Sequence, residues 1–115
     1  MAIETSQDNL IVVDLPKEPE TSDELKKVIE CVRDRRDCNV IIDFSGVDIV
    51  VSSSLSELLE LRKLVADCEQ RLICCAVATP TKGIFTVTGI EAVFEFADDR
   101  STALQEIEAA SSPQE

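Results

Sequence analysis

The sequence has no histidine, no tryptophan and no tyrosine. Without histidine there is no usual general base, no His-containing catalytic triad and no imidazole ligand for zinc. Only three glycines occur, and neither G-x-x-x-x-G-K-[ST] nor a post-strand G-x-G-x-x-G is present, so the loops that cradle nucleotide phosphates are missing. Four phenylalanines are the whole aromatic content, so the core must be built mostly from Val, Ile, Leu and Ala. Positive charge is scarce: 11 Lys and Arg face 23 Asp and Glu, for a formal net charge of −12. A surface this acidic repels nucleic acid and anionic lipid, and no basic stripe offsets it. No apolar run approaches the length of a membrane span, and no charged region followed by a long apolar one opens the chain. Neither membrane insertion nor a secretory signal is expected.

The cysteines are Cys31, Cys38, Cys68, Cys74 and Cys75, an odd number without any C-x-x-C spacing. This pattern predicts free thiols in a reducing cytoplasm and neither a disulfide framework nor a zinc site. Cys74 and Cys75 fall in an apolar run and are expected to pack as small hydrophobes. No catalytic residue, metal site or cofactor emerges, and the chain is not expected to be an enzyme.

What is present is an alternation of short apolar runs with amphipathic stretches over 115 residues, a length suited to one domain. Ala2 to Thr5 reads as an edge strand. Ser6 to Asn9 reads as a hairpin turn, and Leu10 to Leu15 as a β-branched strand. Thr21 and Glu24 have capping-box spacing, with Ser22 or Thr21 as the cap, and Leu25, Val28, Ile29 and Val32 follow as a helical stripe. Asn39 to Asp43 is an unbroken apolar strand of the kind buried on both faces of a parallel sheet. A helix is expected from Ser53 to about Gln70, with Leu55, Leu58, Leu59, Leu61, Leu64, Val65 and Cys68 on its apolar side. Arg71 to Val77 is the next buried strand. Thr79 as cap, with Pro80 at the first helical position, opens a short helix that Gly89 ends in a left-handed conformation. A short strand follows around Val93 to Phe96, and Asp98 to Ser101 begin a last helix. The order β-β-α-β-α-β-α-β-α predicts an α/β fold. It should have a small mixed, mainly parallel sheet of about five strands, with four helices. The domain is expected over 1–108, with 109–115 a flexible tail.

One stretch stands apart. From Val40 to Leu61 the chain runs through a strand, a short connection, the serines Ser52, Ser53 and Ser54, and a leucine-rich helix. Serine is a preferred helix cap, so Ser52 or Ser53 can serve that role alone. A phosphate there would add about two negative charges beside a helix N-terminus, which tolerates them, under a partner surface that would not. Val50, Val51 and Leu55 flank the serines and supply apolar surface.

The segment Ile42-Asp43-Phe44-Ser45-Gly46-Val47-Asp48-Ile49-Val50-Val51-Ser52-Ser53-Ser54-Leu55 resembles the signature of STAS domains, in particular of bacterial anti-sigma factor antagonists. Their pattern is a strand, D-[LF]-S-x-V, a few apolar or acidic residues, D-S-S-G-L and a leucine-rich helix. Thr79-Pro80 and Val87-Thr88-Gly89-Ile90 resemble the second half of the family, where a Ser/Thr-Pro helix entry and a T-G-[LI] turn precede the last strand. The resemblance implies a STAS-like fold and a phosphorylation switch. The unphosphorylated protein binds an anti-sigma factor that is also its serine kinase, of the GHKL type, and thereby regulates transcription; a phosphatase resets it. By position it implies Ser52 as phosphoacceptor and Ser53 as helix cap, with Val50, Val51, Ser52, Ser53, Ser54 and Leu55 as the partner-binding turn. This chain has Val51 where the family has Asp, Ser54 where it has Gly, and Lys17-Glu18-Pro19-Glu20 where it has Gly-Glu-Leu-Asp. The alternative is a STAS scaffold or accessory subunit of a signalling complex or ABC transporter that does not switch.

Overall fold

A computed structural model describes residues 3–7, 10–36 and 38–111. Its elements are β1 (Ile3–Gln7), β2 (Leu10–Asp14), α1 (Glu20–Arg35), β3 (Asn39–Asp43), α2 (Ser52–Asp67), β4 (Leu72–Cys75), α3 (Thr79–Val87), a 3-10 turn (Glu91–Val93), β5 (Glu95–Ala97) and α4 (Arg100–Ser111). The five strands form one sheet in the order β1-β2-β3-β4-β5. β1 lies antiparallel on β2 at the edge; the pairings from β2 through β5 are parallel, with Val12 opposite Ile41 and Ile41 opposite Ile73. This is the expected fold class. Of the expected hairpin turn, Ser6 and Gln7 belong instead to β1, and Asp8 and Asn9 lie outside the described residues.

Strand neighbours that follow chain order, joined by right-handed crossovers, put α1, α2 and α3 on one face of the sheet. The helix after the last strand, α4, covers the other. Side chains that alternate along each strand therefore sort into two cores. Ile11, Val13, Val40, Ile42, Leu72 and Cys74 pack beneath α1, α2 and α3. Leu10, Val12, Ile41, Ile73 and Cys75 pack against Ala103 and Ile107 of α4. Cys74 and Cys75 thus fill opposite sides of one strand, as small hydrophobes. Burial pushes both thiols up, Cys75 to about 12 with the negative charge of Asp43 adding to the effect, so neither is a nucleophile at neutral pH.

The four phenylalanines sit together. Phe85 is fully buried, with Phe44 edge-on at 6.4 Å between ring centroids, Phe94 at 5.4 Å and Phe96 at 5.6 Å. This cluster ties α3 to the loop after β3 and to β5.

Helix ends differ from the expected ones in instructive ways. α1 starts at Glu20 behind Pro19, and Thr21 is buried with its hydroxyl donated to the Pro16 carbonyl at 2.7 Å; there is no capping box. α3 is capped at Ala78, so Thr79 and Pro80 both lie inside its first turn. Gly89, at φ 79°, does terminate α3: its N–H reaches the Thr86 carbonyl at 3.1 Å and the Ile90 N–H reaches Phe85 at 3.0 Å. α2 ends by the same arrangement on Glu69, at φ 62°, and therefore stops at Asp67 short of the expected Gln70. Val93 belongs to the 3-10 turn, which moves the last strand to Glu95–Ala97. α4 runs to Ser111, past the expected domain boundary at 108; the remainder of the expected tail lies outside the described residues.

Truncating Phe85→Ala removes the ring that the other three meet and should cost about 3–5 kcal/mol. Val87→Ala, on the exposed side of the same helix, should stay within about 0.5 kcal/mol. Urea unfolding followed by far-ultraviolet circular dichroism separates the two, since the chain lacks Tyr and Trp as fluorescent reporters.

Candidate functional site

Four parallel strands end at the same edge of the sheet, and the loops that leave them gather there. Two aspartates close the first two of these strands: Asp14 on β2 lies opposite Asp43 on β3. Arg100, at the start of α4, joins them. Its Nε donates to Asp43 Oδ2 at 3.1 Å, and its Nη2 pairs with Asp43 and with Asp14. The other oxygen of Asp43 accepts the Ser45 N–H at 2.8 Å. Burial pushes the Asp43 carboxyl up, but the bonds from Ser45 and Arg100 and the charge of Arg100 outweigh it, and its pKa lies below the ordinary value. The network pins the exit of β3 to α4 across the sheet edge.

From that exit the chain makes a turn held from inside. Phe44, Val47 and Val50 are buried, the Val47 N–H closes on the Phe44 carbonyl at 2.9 Å, and buried Thr81 of α3 donates its hydroxyl to the Asp48 carbonyl at 2.9 Å. Between these anchors Ile49 and Val51 are pushed outward, 52% and 48% exposed. Two large aliphatic side chains this exposed, two residues apart in the chain, put apolar surface on an acidic molecule.

α2 begins directly after Val51. Val51 is extended at φ −101°, ψ 169°, and its carbonyl accepts the first helical bond, from Leu55, at 3.0 Å. That makes Val51 the N-cap residue, which has no side chain able to cap. Ser53, the expected cap, is instead the second helical residue, with an exposed side chain and no capping bond. The acceptor comes from another loop. Oε2 of Glu18, between β2 and α1, takes the Val51 N–H at 3.0 Å and the Ser54 hydroxyl at 2.7 Å. No acidic residue lies in the first turn of α2, so Glu18 also supplies the negative charge that a helix N-terminus favours. Glu18 thus supplies one half of a capping box, the carboxylate on the N-cap N–H, from across the edge of the sheet.

The expected partner-binding residues therefore divide. Ser52 and Ser53 are exposed with Val51, and Leu55 is half-buried. Val50 and Ser54 point inward, 5% and 1% exposed, and are withdrawn from that surface. Ile49 and Glu18 were not singled out as site residues in the sequence. Glu18 had one signal, its echo of the Gly-Glu-Leu-Asp segment. Ile49 had none, because an apolar residue beside Val50 and Val51 reads as core until the turn is known.

The described residues form a layered α/β domain whose sheet edge presents an exposed serine turn and the exposed side chains of Ile49 and Val51. A family model for the STAS domain matches residues 6–103, and the chain belongs to that family. STAS domains are regulatory or scaffold modules. No curated protein is similar enough in sequence to count as a match. Among solved structures, an anti-sigma-factor antagonist (STAS) domain protein from Planctomyces limnophilus is 20% identical over 91% of this chain and 97% of its own, with a TM-score of 0.79. The anti-sigma factor antagonist SpoIIAA of Bacillus, in its unphosphorylated form, is 14% identical over 93% and 95%, with a TM-score of 0.78. A sulfate transporter family protein from Wolinella succinogenes is 17% identical over 88% and 84%, with a TM-score of 0.71. At these identities the likeness is one of fold.

The Asp43 network sets a pH dependence. A carboxylate with a depressed folded pKa stabilises the protein above its unfolded value, near 3.8, and that stability is lost as pH falls through the lower folded value. Asp43→Asn should cost about 1–3 kcal/mol at neutral pH and flatten the acid limb below about pH 4. Urea midpoints measured from pH 7 to pH 3 check both.

Proposed function

We propose that this protein is a phospho-regulated binding module, an anti-sigma factor antagonist. Its turn at 49–53 docks an anti-sigma factor with GHKL-type serine kinase activity while Ser52 is unphosphorylated. Phosphate on Ser52 blocks docking, and a phosphatase restores it. The observation that carries this reading is the division of the three serines: Ser52 and Ser53 are exposed beside the apolar pair Ile49 and Val51, and Ser54 is buried on Glu18. An apolar contact centred on Val51 would be dry, and a phosphoserine adjoining it would bring about two charges that must be desolvated or repelled. The name SpoIIAA carries, an anti-sigma factor antagonist in an unphosphorylated form, supports phosphorylation as chemistry this fold accommodates. The reading places the protein in the cytoplasm, with kinase and ATP.

The second reading, a STAS scaffold or accessory subunit of a transporter or signalling complex, is favoured by the fold likeness to the Wolinella sulfate transporter family protein. It needs no modified serine.

Incubation with a candidate kinase and ATP, with phosphate mapped by mass spectrometry, separates the two. Label on Ser52 is expected, and Ser52→Ala should abolish it. Label confined to Ser53 contradicts the assignment, and no label with the candidate kinase favours the scaffold.

A further inference from the structure

We propose that Glu18 is the positioning residue of the docking turn, and that a phosphoryl group on Ser52 acts by driving the Glu18 carboxylate off α2. The inference rests on the reading of Ser52 as phosphoacceptor. Glu18 belongs to the β2–α1 loop, yet its Oε2 holds both the backbone N–H of Val51, at 3.0 Å, and the hydroxyl of Ser54, at 2.7 Å. Ser52 and Ser53 lie between those two points in the chain. Ser54 is 1% exposed with Glu18 in place, and its hydroxyl loses this acceptor if Glu18 leaves. The same two loops share a depression of about 170 Å³, lined by Lys17, Glu18, Asp48 and Ile49. A partner seated on Ile49 and Val51 meets both loops, and the Glu18 contact makes them one surface.

A phosphate ester at Ser52 carries close to two negative charges one residue from an N–H already taken by a carboxylate. Like charges at one exposed helix start repel, and salt screens the repulsion. The phosphate is covalently attached and stays. The carboxylate is held by hydrogen bonds on a flexible side chain and goes. Its departure takes the acceptor from the Ser54 hydroxyl and breaks the tie between the β2–α1 loop and the start of α2, so the modification alters two loops from one site.

A double-mutant cycle on the full chain tests the coupling, with Ser52→Asp as the charge and Glu18→Gln as its control. Glutamine keeps an acceptor oxygen for Val51 and Ser54 and removes only the charge. Native-state hydrogen exchange of the Val51 amide is the readout. Ser52→Asp should speed that exchange about tenfold in the native background and less than about twofold with Glu18→Gln, and leave the β3 amides unchanged. High salt, at about 1 M, should suppress most of the acceleration by screening, a check that needs no Glu18 variant. Equal acceleration in both backgrounds, no acceleration, or acceleration indifferent to salt overturns the proposal. The kinase experiment is independent: absence of label on Ser52 sinks the switch and leaves the Glu18 coupling measurable, and an additive cycle sinks the coupling with Ser52 still labelled.

Discussion

Neither face of β3 meets water. Every residue from Asn39 to Asp43 is buried, with α1, α2 and α3 on one side and α4 on the other. A strand enclosed in this way cannot carry a functional surface, and it cannot shift by one residue without exchanging its two cores. The exposed loops gather at the edge where the parallel strands end. There the register of β2, β3 and β4 fixes where each loop starts, and the Asp14–Arg100–Asp43 network locks that start to α4. The serine turn is held in place by the core beneath α1, α2 and α3, which it enters through Val50.

The turn itself is a compromise between packing and display. Phe44, Val47 and Val50, every third residue, point inward and tie the connection to the core, and Thr81 holds its middle from α3. With those positions fixed, Ile49 and Val51 have no inward path and are left on the surface. The same constraint sends Ser54 inward and leaves Ser52 and Ser53 out. Chemistry at this edge is thus decided by the phase of α2, which is set in turn by Val51 acting as its N-cap and by Glu18 serving that cap from the neighbouring loop.

Much of this was legible in the sequence. The unbroken apolar runs of β3 and β4 announced two-sided burial, and the spacing of Leu25, Val28, Ile29 and Val32 announced the inward face of α1, because both signals depend on periodicity alone. Gly89 was legible because a left-handed residue after a helix favours glycine. Helix starts were not. Thr21, Ser53 and Thr79 all have the chemistry of a cap, and each was passed over, since the first turn is placed by where the preceding loop leaves the sheet. Ser53 lost the role to a carboxylate 35 residues earlier in sequence, and the Arg100 bond to Asp14 spans 86 residues. Contacts of that range leave no local pattern. The serine stretch itself stood out by composition, but which serine faces water depends on the helical phase.

The central claim is that the turn binds its partner only while Ser52 carries no phosphate. It is tested most directly by calorimetric titration of the candidate anti-sigma factor with two forms of this chain, unmodified and carrying phosphoserine at position 52. The unmodified form should bind, and the phosphoserine form should bind at least about tenfold more weakly, a loss of about 1.4 kcal/mol or more. Equal affinity for the two forms would contradict the account.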